Sequence, residues 1–220
     1  MPTSASSPAA CGRVSSVDQK RAVRIDAIVL AAGESRRMGF PKPLLRIGDE
    51  TFLEHTLRLI RPSVHRIAVV LGAHADRIRD VVLTSPGVAV VENPDYVQGQ
   101  LSSLKRGLRE VAPSADAVMV HLADHPLVNA NTFRTLAETY QRTRAAIVIA
   151  RYNGRGGHPV IFDRSVFPEL LAASLADGAR AIVNAVPSRI VYSDVDDPGV
   201  ALDLDTPDDL ARAGLPPPPR

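Results

Sequence analysis

Residues 26–42 read DAIVLAAGESRRMGFPK, and the reading of this stretch decides the fold. Its first five residues form a short, nearly continuous apolar run, after which the chain turns small, then glycine-bearing and basic. Strands of a sheet covered on both faces have this character, because neither side of the pleat meets water. Working outward, similar runs recur at 66–71 (RIAVVL), 88–91 (VAVV), 117–122 (AVMVHL), 146–150 (AIVIA) and 189–192 (RIVY). Segments of helical period lie between them, at 51–60, 76–83, 102–111, 131–143 and 178–186. This β-α alternation predicts parallel strands joined by crossover helices, hence a three-layer, Rossmann-like α/β sandwich with a mostly parallel sheet. Open sheets of this kind bind ligands beyond the carboxyl ends of their strands, so the residues after each run are the candidates for function.

In the loop after the first run, small residues at 31–33 let the backbone approach a flat base or a phosphate, while Gly33 and Gly39 permit turns barred to larger side chains. Arg36, Arg37 and Lys42 add three cations beside exposed backbone N–H groups, the composition of a triphosphate cradle. The spacing fits neither a Walker loop nor the dinucleotide fingerprint. Glycines and charges alone describe an ordinary βα loop with a solvated basic patch equally well.

After the run 117–122 comes Ala123-Asp124-His125-Pro126. The proline stops the strand, so Asp124 directs a carboxylate into the expected crevice and is the leading candidate for a Mg²⁺ ligand, with a turn-forming Asp as the bland alternative. A second acidic element reads Asp203-Leu204-Asp205-Thr206-Pro207-Asp208-Asp209-Leu210. If extended, Asp-Leu-Asp turns both carboxylates to one side, and the residues from Thr206 cap and start a short helix whose N-terminus suits Asp208 and Asp209. Mg²⁺ prefers hard oxygen ligands and keeps waters, so one or two carboxylates plus phosphates complete a site. The pattern H-x-x-D-H at 121–125 is also spaced like an inverted zinc-protease motif, but that motif needs a helix and the run here is β-like.

Two further stretches carry polar groups. In NPDYVQGQLSSL (93–104), Gly99 permits close approach and Ser102 and Ser103 offer hydroxyls, either to a ligand or as helix caps. In RYNGRGGHPVI (151–161), three glycines read as a pliable loop from which Arg155 and His158 meet an anionic or heteroaromatic acceptor; a hairpin with a solvated Arg155 is the other reading.

The run LAAGESRRMGFPKPLL (30–45) resembles the L-A-A-G-x-S-x-R-M-G-x-x-K-x-L-L signature of the MobA-like nucleotidyltransferases, most of all their molybdenum cofactor cytidylyltransferases. Later motifs resemble the family's in order: Ala-Asp-His-Pro for its A-D-Q-P, Asp-Leu-Asp-Thr-Pro-Asp-Asp-Leu for D-I-D-T-P-E-D-L, and Arg-Gly-Gly-His-Pro-Val for G-R-R-G-H-P-V. The resemblance implies a fold of the nucleotide-diphospho-sugar transferase type and transfer of a nucleoside monophosphate from an NTP to a phosphorylated acceptor, with release of pyrophosphate. It implies that Leu30, Ala31, Ala32 and Gly33 line the nucleotide, that Arg37 organises the triphosphate, and that Lys42 neutralises charge at the α-phosphorus. Asp124 and Asp205 then hold the metal, Mg²⁺ or alternatively Mn²⁺, with Asp203 in support. Gly99 and Ser103 lie beside the base and ribose, and Arg155 and His158 on the acceptor side. Ala32 points to CTP, since the guanylyl branch has L-A-G-G, and the implied acceptor is molybdopterin, with a molybdenum enzyme or chaperone as partner. His125 for Gln, and Gly156-Gly157 for Arg-Gly, depart from the pattern.

Length and charge are consistent with this. The 220 residues, 45% hydrophobic, suffice for one substantial core, expected over 25–215 between a polar tail at 1–24 and a proline-rich end at 216–220. A net charge of +2 argues against coating by nucleic acid or anionic lipid. A single cysteine, Cys11, and the lack of an apolar run of membrane-spanning length or of a signal-peptide core point to the cytoplasm. Two rivals stay open: a nucleotidyltransferase for a sugar phosphate or other small acceptor, and a non-catalytic nucleotide-binding accessory protein of molybdenum enzymes, which would need no metal pair.

Overall fold

The computed structural model describes residues 22–83, 85, 87–176 and 178–219. Cys11 and most of the expected N-terminal tail lie outside the described residues.

Seven strands form one sheet: β1 (Ile25–Ala31), β4 (Ile67–Leu71), β5 (Val88–Glu92), β6 (Ala117–Leu122), β7 (Ile147–Tyr152), β8 (Arg155–Asp163) and β9 (Ile190–Asp194), in the order β5-β4-β1-β6-β8-β7-β9. A small hairpin of β2 (Arg46–Ile47) and β3 (Glu50–Thr51) stands apart. The helices are α1 (Phe52–Ile60), α2 (Ala75–Leu83), α3 (Gln100–Val111), α4 (Ala130–Thr143), α5 (Phe167–Ala172), α6 (Gly178–Ala185) and α7 (Pro207–Arg212). All seven residues of β1 are buried. Their alternation sorts them between two cores: Ile25, Ala27, Val29 and Ala31 pack with residues of α1, α2 and α4 such as Leu57, Ile78 and Tyr140. Ile28 and Leu30 face the other way, against Leu104 and Leu108 of α3 and Leu170 of α5. Three layers follow, as the sequence predicts. Gly107 brings α3 close to the sheet, for a Cβ there would stand 2.8 Å from side-chain atoms of Ile28 and Val70.

Because β1 pairs in parallel with β4 and β6, with Ala31 opposite Leu71 and Leu30 opposite Leu122, their carboxyl ends come out at one rim. The exception to the parallel order is β8, which runs antiparallel between β6 and β7. This corrects the reading of its first residues as a pliable loop. Asn153 and Gly154 both have positive φ (46° and 78°), as a two-residue turn between twisted strands requires, and Tyr152 pairs directly with Arg155 across it. Pro159, which cannot donate to a ladder, falls where the register with β7 shifts between Ile149 and Arg151.

A third, smaller core joins Met38 and Leu45, on either side of Lys42, to Phe52 of α1 and to Leu204 and Leu210 around α7. It fastens the loop after β1 to the last acidic element, although Lys42 and Asp205 are 163 positions apart in the chain.

Candidate active site

At the rim formed by β1 and β6 lies a cavity of about 380 Å³. Leu30 and Ala31 line it from the end of β1, and Ala32, Gly33, Arg37 and Lys42 from the loop that follows; Gly99 and Ser103 from the start of α3; Asp124 and Asp205 from the two acidic elements. Three of the residues singled out in the sequence stand outside this wall. Asp203 is exposed and off the cavity wall, so the two carboxylates do not turn to one side as an extended Asp-Leu-Asp would have them; Asp205 alone is held inward, by Lys42 and Arg37. Arg155 is exposed at the β7–β8 turn, and His158 sits behind the wall among other rings. Tyr96 and Val97 line the cavity without having been singled out; their place in the same stretch as Gly99 was the available signal.

Local hydrogen bonds shape each contributor. The Ser35 carbonyl accepts from the N–H groups of Met38 and Gly39 at 3.0 and 3.1 Å, and its hydroxyl oxygen accepts from the Lys42 N–H at 3.1 Å, closing the loop on itself. Gly99 has φ +99°, which a larger residue adopts only under strain. Beyond it, the buried Asn93 amide donates to the hydroxyls of Ser102 (2.9 Å) and Ser103 (3.0 Å); Ser102 in turn donates to the Gly99 carbonyl at 2.8 Å. Neither serine caps α3, whose N-cap is Gly99; Ser102 is tied to the backbone before the helix, and Ser103 is the one that meets the cavity. The Leu204 N–H donates to the Asp124 carbonyl at 3.0 Å, linking the acidic elements through their backbones. Thr206 and Asp209 form a capping box that starts α7, and Asp209 also accepts from the Asp205 N–H at 3.0 Å.

The electrostatic centre is Lys42. Its ammonium donates to Asp124 Oδ2 at 3.0 Å and to Asp205 Oδ1 at 2.6 Å, while Arg37 Nη2 donates to Asp205 Oδ2 at 2.6 Å. Burial alone would lower the lysine pKa; the two carboxylates outweigh it and hold Lys42 above its usual range. Asp205 is the mirror case, where burial is overcome by Lys42 and Arg37 and the carboxyl titrates below its usual range. Asp124 Oδ1 is buried with no hydrogen-bond partner among the described residues. An acceptor oxygen without a donor, beside a second carboxylate, fits a divalent cation. Among the described residues no group of three or more His, Cys, Asp or Glu could hold a metal. A cation held by this pair would need further ligands from outside the described residues, such as phosphates or water.

Behind Asp124 stand three histidines. His121 lies in β6, not on a helix, and its Nε2–H donates to the His125 carbonyl at 3.1 Å. The His125 and His158 rings are 5.4 Å apart. Burial, then the neighbouring rings, pushes His121 well below the usual histidine range; burial and His125 bring His158 to about 4. Both are neutral at neutral pH, an uncharged wall beside the acidic pair.

The sequence model of the MobA-like NTP transferase domain matches residues 27–190, which include the loop, the lysine and Asp124. The chain belongs to the MobA-like NTP transferase family. It is similar to the molybdenum cofactor cytidylyltransferase of Escherichia coli, 27% identical over 86% of this chain and 95% of that one. It is equally similar in extent to a molybdenum cofactor guanylyltransferase of Cereibacter sphaeroides, 30% identical over 87% and 96% of the two chains. Among solved structures it resembles Rv0371c of Mycobacterium tuberculosis H37Rv in complex with manganese, with a TM-score of 0.66, 31% identity, and coverage of 86% of this chain and 97% of that one. The protein is a nucleotidyltransferase of this family. Among the described residues no helix is long and apolar enough to cross a membrane.

Proposed function

We propose that this protein transfers a cytidylyl group from CTP to the phosphate of a molybdopterin-type acceptor, with Mg²⁺ or Mn²⁺ bound by Asp124 and Asp205. The observation that carries the reading is the contact of Lys42 with both carboxylates at the mouth of a glycine-lined cavity. A phosphate oxygen of the acceptor attacks the α-phosphorus, the bond to the bridging oxygen breaks, and pyrophosphate leaves; the nucleophile is already anionic, so no protein nucleophile is needed. Leu30 to Gly33 present backbone to the nucleoside, Gly99 and Ser103 face the base and ribose, and Lys42 and Arg37 balance charge on the triphosphate and the transition state. The divalent ion supplies further positive charge at the phosphates. The Mn²⁺ complex of a relative supports a divalent metal. Ala32 supports CTP, while relatives of both cytidylyl and guanylyl type make base choice the point to test. Arg155, exposed at the β7–β8 turn, is free to meet the acceptor in this reading, whereas His158 lies behind the wall.

The test is pyrophosphate release with CTP, GTP, UTP and ATP, each against molybdopterin and sugar phosphates. CTP with molybdopterin is expected to react fastest, by about tenfold or more over GTP, since one unpaired buried polar group costs roughly 1–3 kcal/mol. Guanylyl transfer in excess would overturn the base assignment, reaction only with sugar phosphates the acceptor, and tight nucleotide binding without transfer the enzymatic reading itself.

A further inference from the structure

The segment from Gly72 to Arg77, between β4 and the first turn of α2, contacts the loop that carries Lys42 at successive points. The Ala73 N–H donates to the Ala32 carbonyl at 3.1 Å. Gly72 lies so close behind that same carbonyl that a Cβ would stand 2.8 Å from its oxygen. His74 Nε2 is 3.3 Å from the Glu34 carbonyl, which can only accept, so Nε2–H donates. One turn on, the Arg77 guanidinium lies over the Phe40 ring, 5.2 Å from its centroid. Glu34 and Phe40 bracket the basic stretch, and Lys42 follows directly.

Two of the non-glycine residues with positive φ meet at this contact, Ser35 (54°) in the loop and His74 (60°) at the entrance to α2. An L-residue holds such a conformation only where its surroundings impose it. The histidine at 74 gives the chain a ring long enough to reach the Glu34 carbonyl across 40 positions of sequence.

We propose that His74, with Arg77, is a positioning residue for phosphate binding: it holds the 33–42 loop in its phosphate-receiving shape before the nucleotide arrives, so that binding does not bear the cost of ordering the loop. This rests on the reading of that loop as the triphosphate site. A preformed loop raises affinity for anything that binds through phosphates and leaves affinity for the bare nucleoside alone.

The experiment compares wild type with His74→Gly, His74→Gln and His74→Ala, measuring calorimetric affinity for inorganic tripolyphosphate, CTP and cytidine, together with melting temperature and the KM and kcat of transfer. Glycine relaxes the backbone at 74 while removing the ring. His74→Gly is therefore expected to melt no lower than His74→Ala yet to bind tripolyphosphate and CTP about three- to tenfold more weakly, the worth of one hydrogen bond. Cytidine affinity stays unchanged, KM rises more than kcat falls, and His74→Gln, whose amide nitrogen stands where Nε2 stood, recovers most of the phosphate affinity. Equal tripolyphosphate affinity in wild type and His74→Gly would overturn the positioning role while leaving the loop's function intact. Wild type that binds CTP but shows no phosphate dependence would overturn the triphosphate reading of the loop, and the proposal with it.

Discussion

Replacing Lys42 by methionine keeps the length of the side chain and removes its charge, and it should move metal affinity and turnover in opposite directions. Lys42 Nζ stands 3.0 Å from one carboxylate and 2.6 Å from the other. At an effective dielectric of about 20, each such pair attracts by about 6 kcal/mol before solvation is counted. The site is partly open, with side-chain exposures of 12% for Lys42, 30% for Asp124 and 21% for Asp205, so desolvation and water reduce the net worth of the contact to about 1–3 kcal/mol. A cation that takes the same carboxylate oxygens competes with the ammonium. Without Lys42, Mn²⁺ should therefore bind about 5- to 150-fold more tightly. Turnover should fall by about a hundredfold or more, because charge developing on the triphosphate loses its partner. Free Mn²⁺ is followed by electron paramagnetic resonance during titration, and transfer by pyrophosphate release. Mn²⁺ affinity that is unchanged or weaker in a folded Lys42→Met protein would refute the idea that lysine and metal share these oxygens.

Other substitutions test separate parts of the account. Asp124→Asn should abolish metal-dependent transfer while shifting the melting temperature little; near-normal activity would remove Asp124 from the metal site. Gly157→Ala should destabilise the protein by about 1–3 kcal/mol or more in urea unfolding, because a Cβ there overlaps the Val200 carbonyl and backbone gives way poorly. His158 titrates near 4 in the folded chain against about 6.5 unfolded, so the unfolded state binds the extra proton first. Its contribution is fully present above pH 6.5 and is lost as pH falls toward 4, by at most about 3 kcal/mol, and His158→Asn should flatten that stretch of the stability curve. An unchanged slope would show that other groups govern acid unfolding.

The alternation of strands and helices was legible because double burial leaves a plain mark, continuous Val, Ile and Ala. Strand bounds agree to within two residues, as in β1, read as 26–30 and found at Ile25–Ala31. At β8 the glycines at 154, 156 and 157 suggested a pliable loop, whereas the other reading, a hairpin with a solvated Arg155, is the one found, marked by Asn153-Gly154, a turn that joins strands. The candidate residues around the cavity were legible as types but not as partners. Lys42 meets Asp124 and Asp205 across 82 and 163 positions, and no local pattern encodes such distances. The choice between Asp203 and Asp205 was likewise beyond periodicity, since a period of two puts both on one side and only the contacts of Asp205 with Lys42 and Arg37 tell them apart.

The reversed strand β8 divides labour along the chain. By running against its neighbours it returns residues 155–158 toward the rim where β6 ends, so one short tract supplies that side without belonging to the glycine-bearing loop. Change at the exposed Arg155 can then alter the surface beside the crevice while the lysine–carboxylate centre stays fixed. Under the proposed function such an arrangement gives a lineage a low-risk route to new acceptors: the lysine–carboxylate centre is inherited whole while the exposed turn beside it changes.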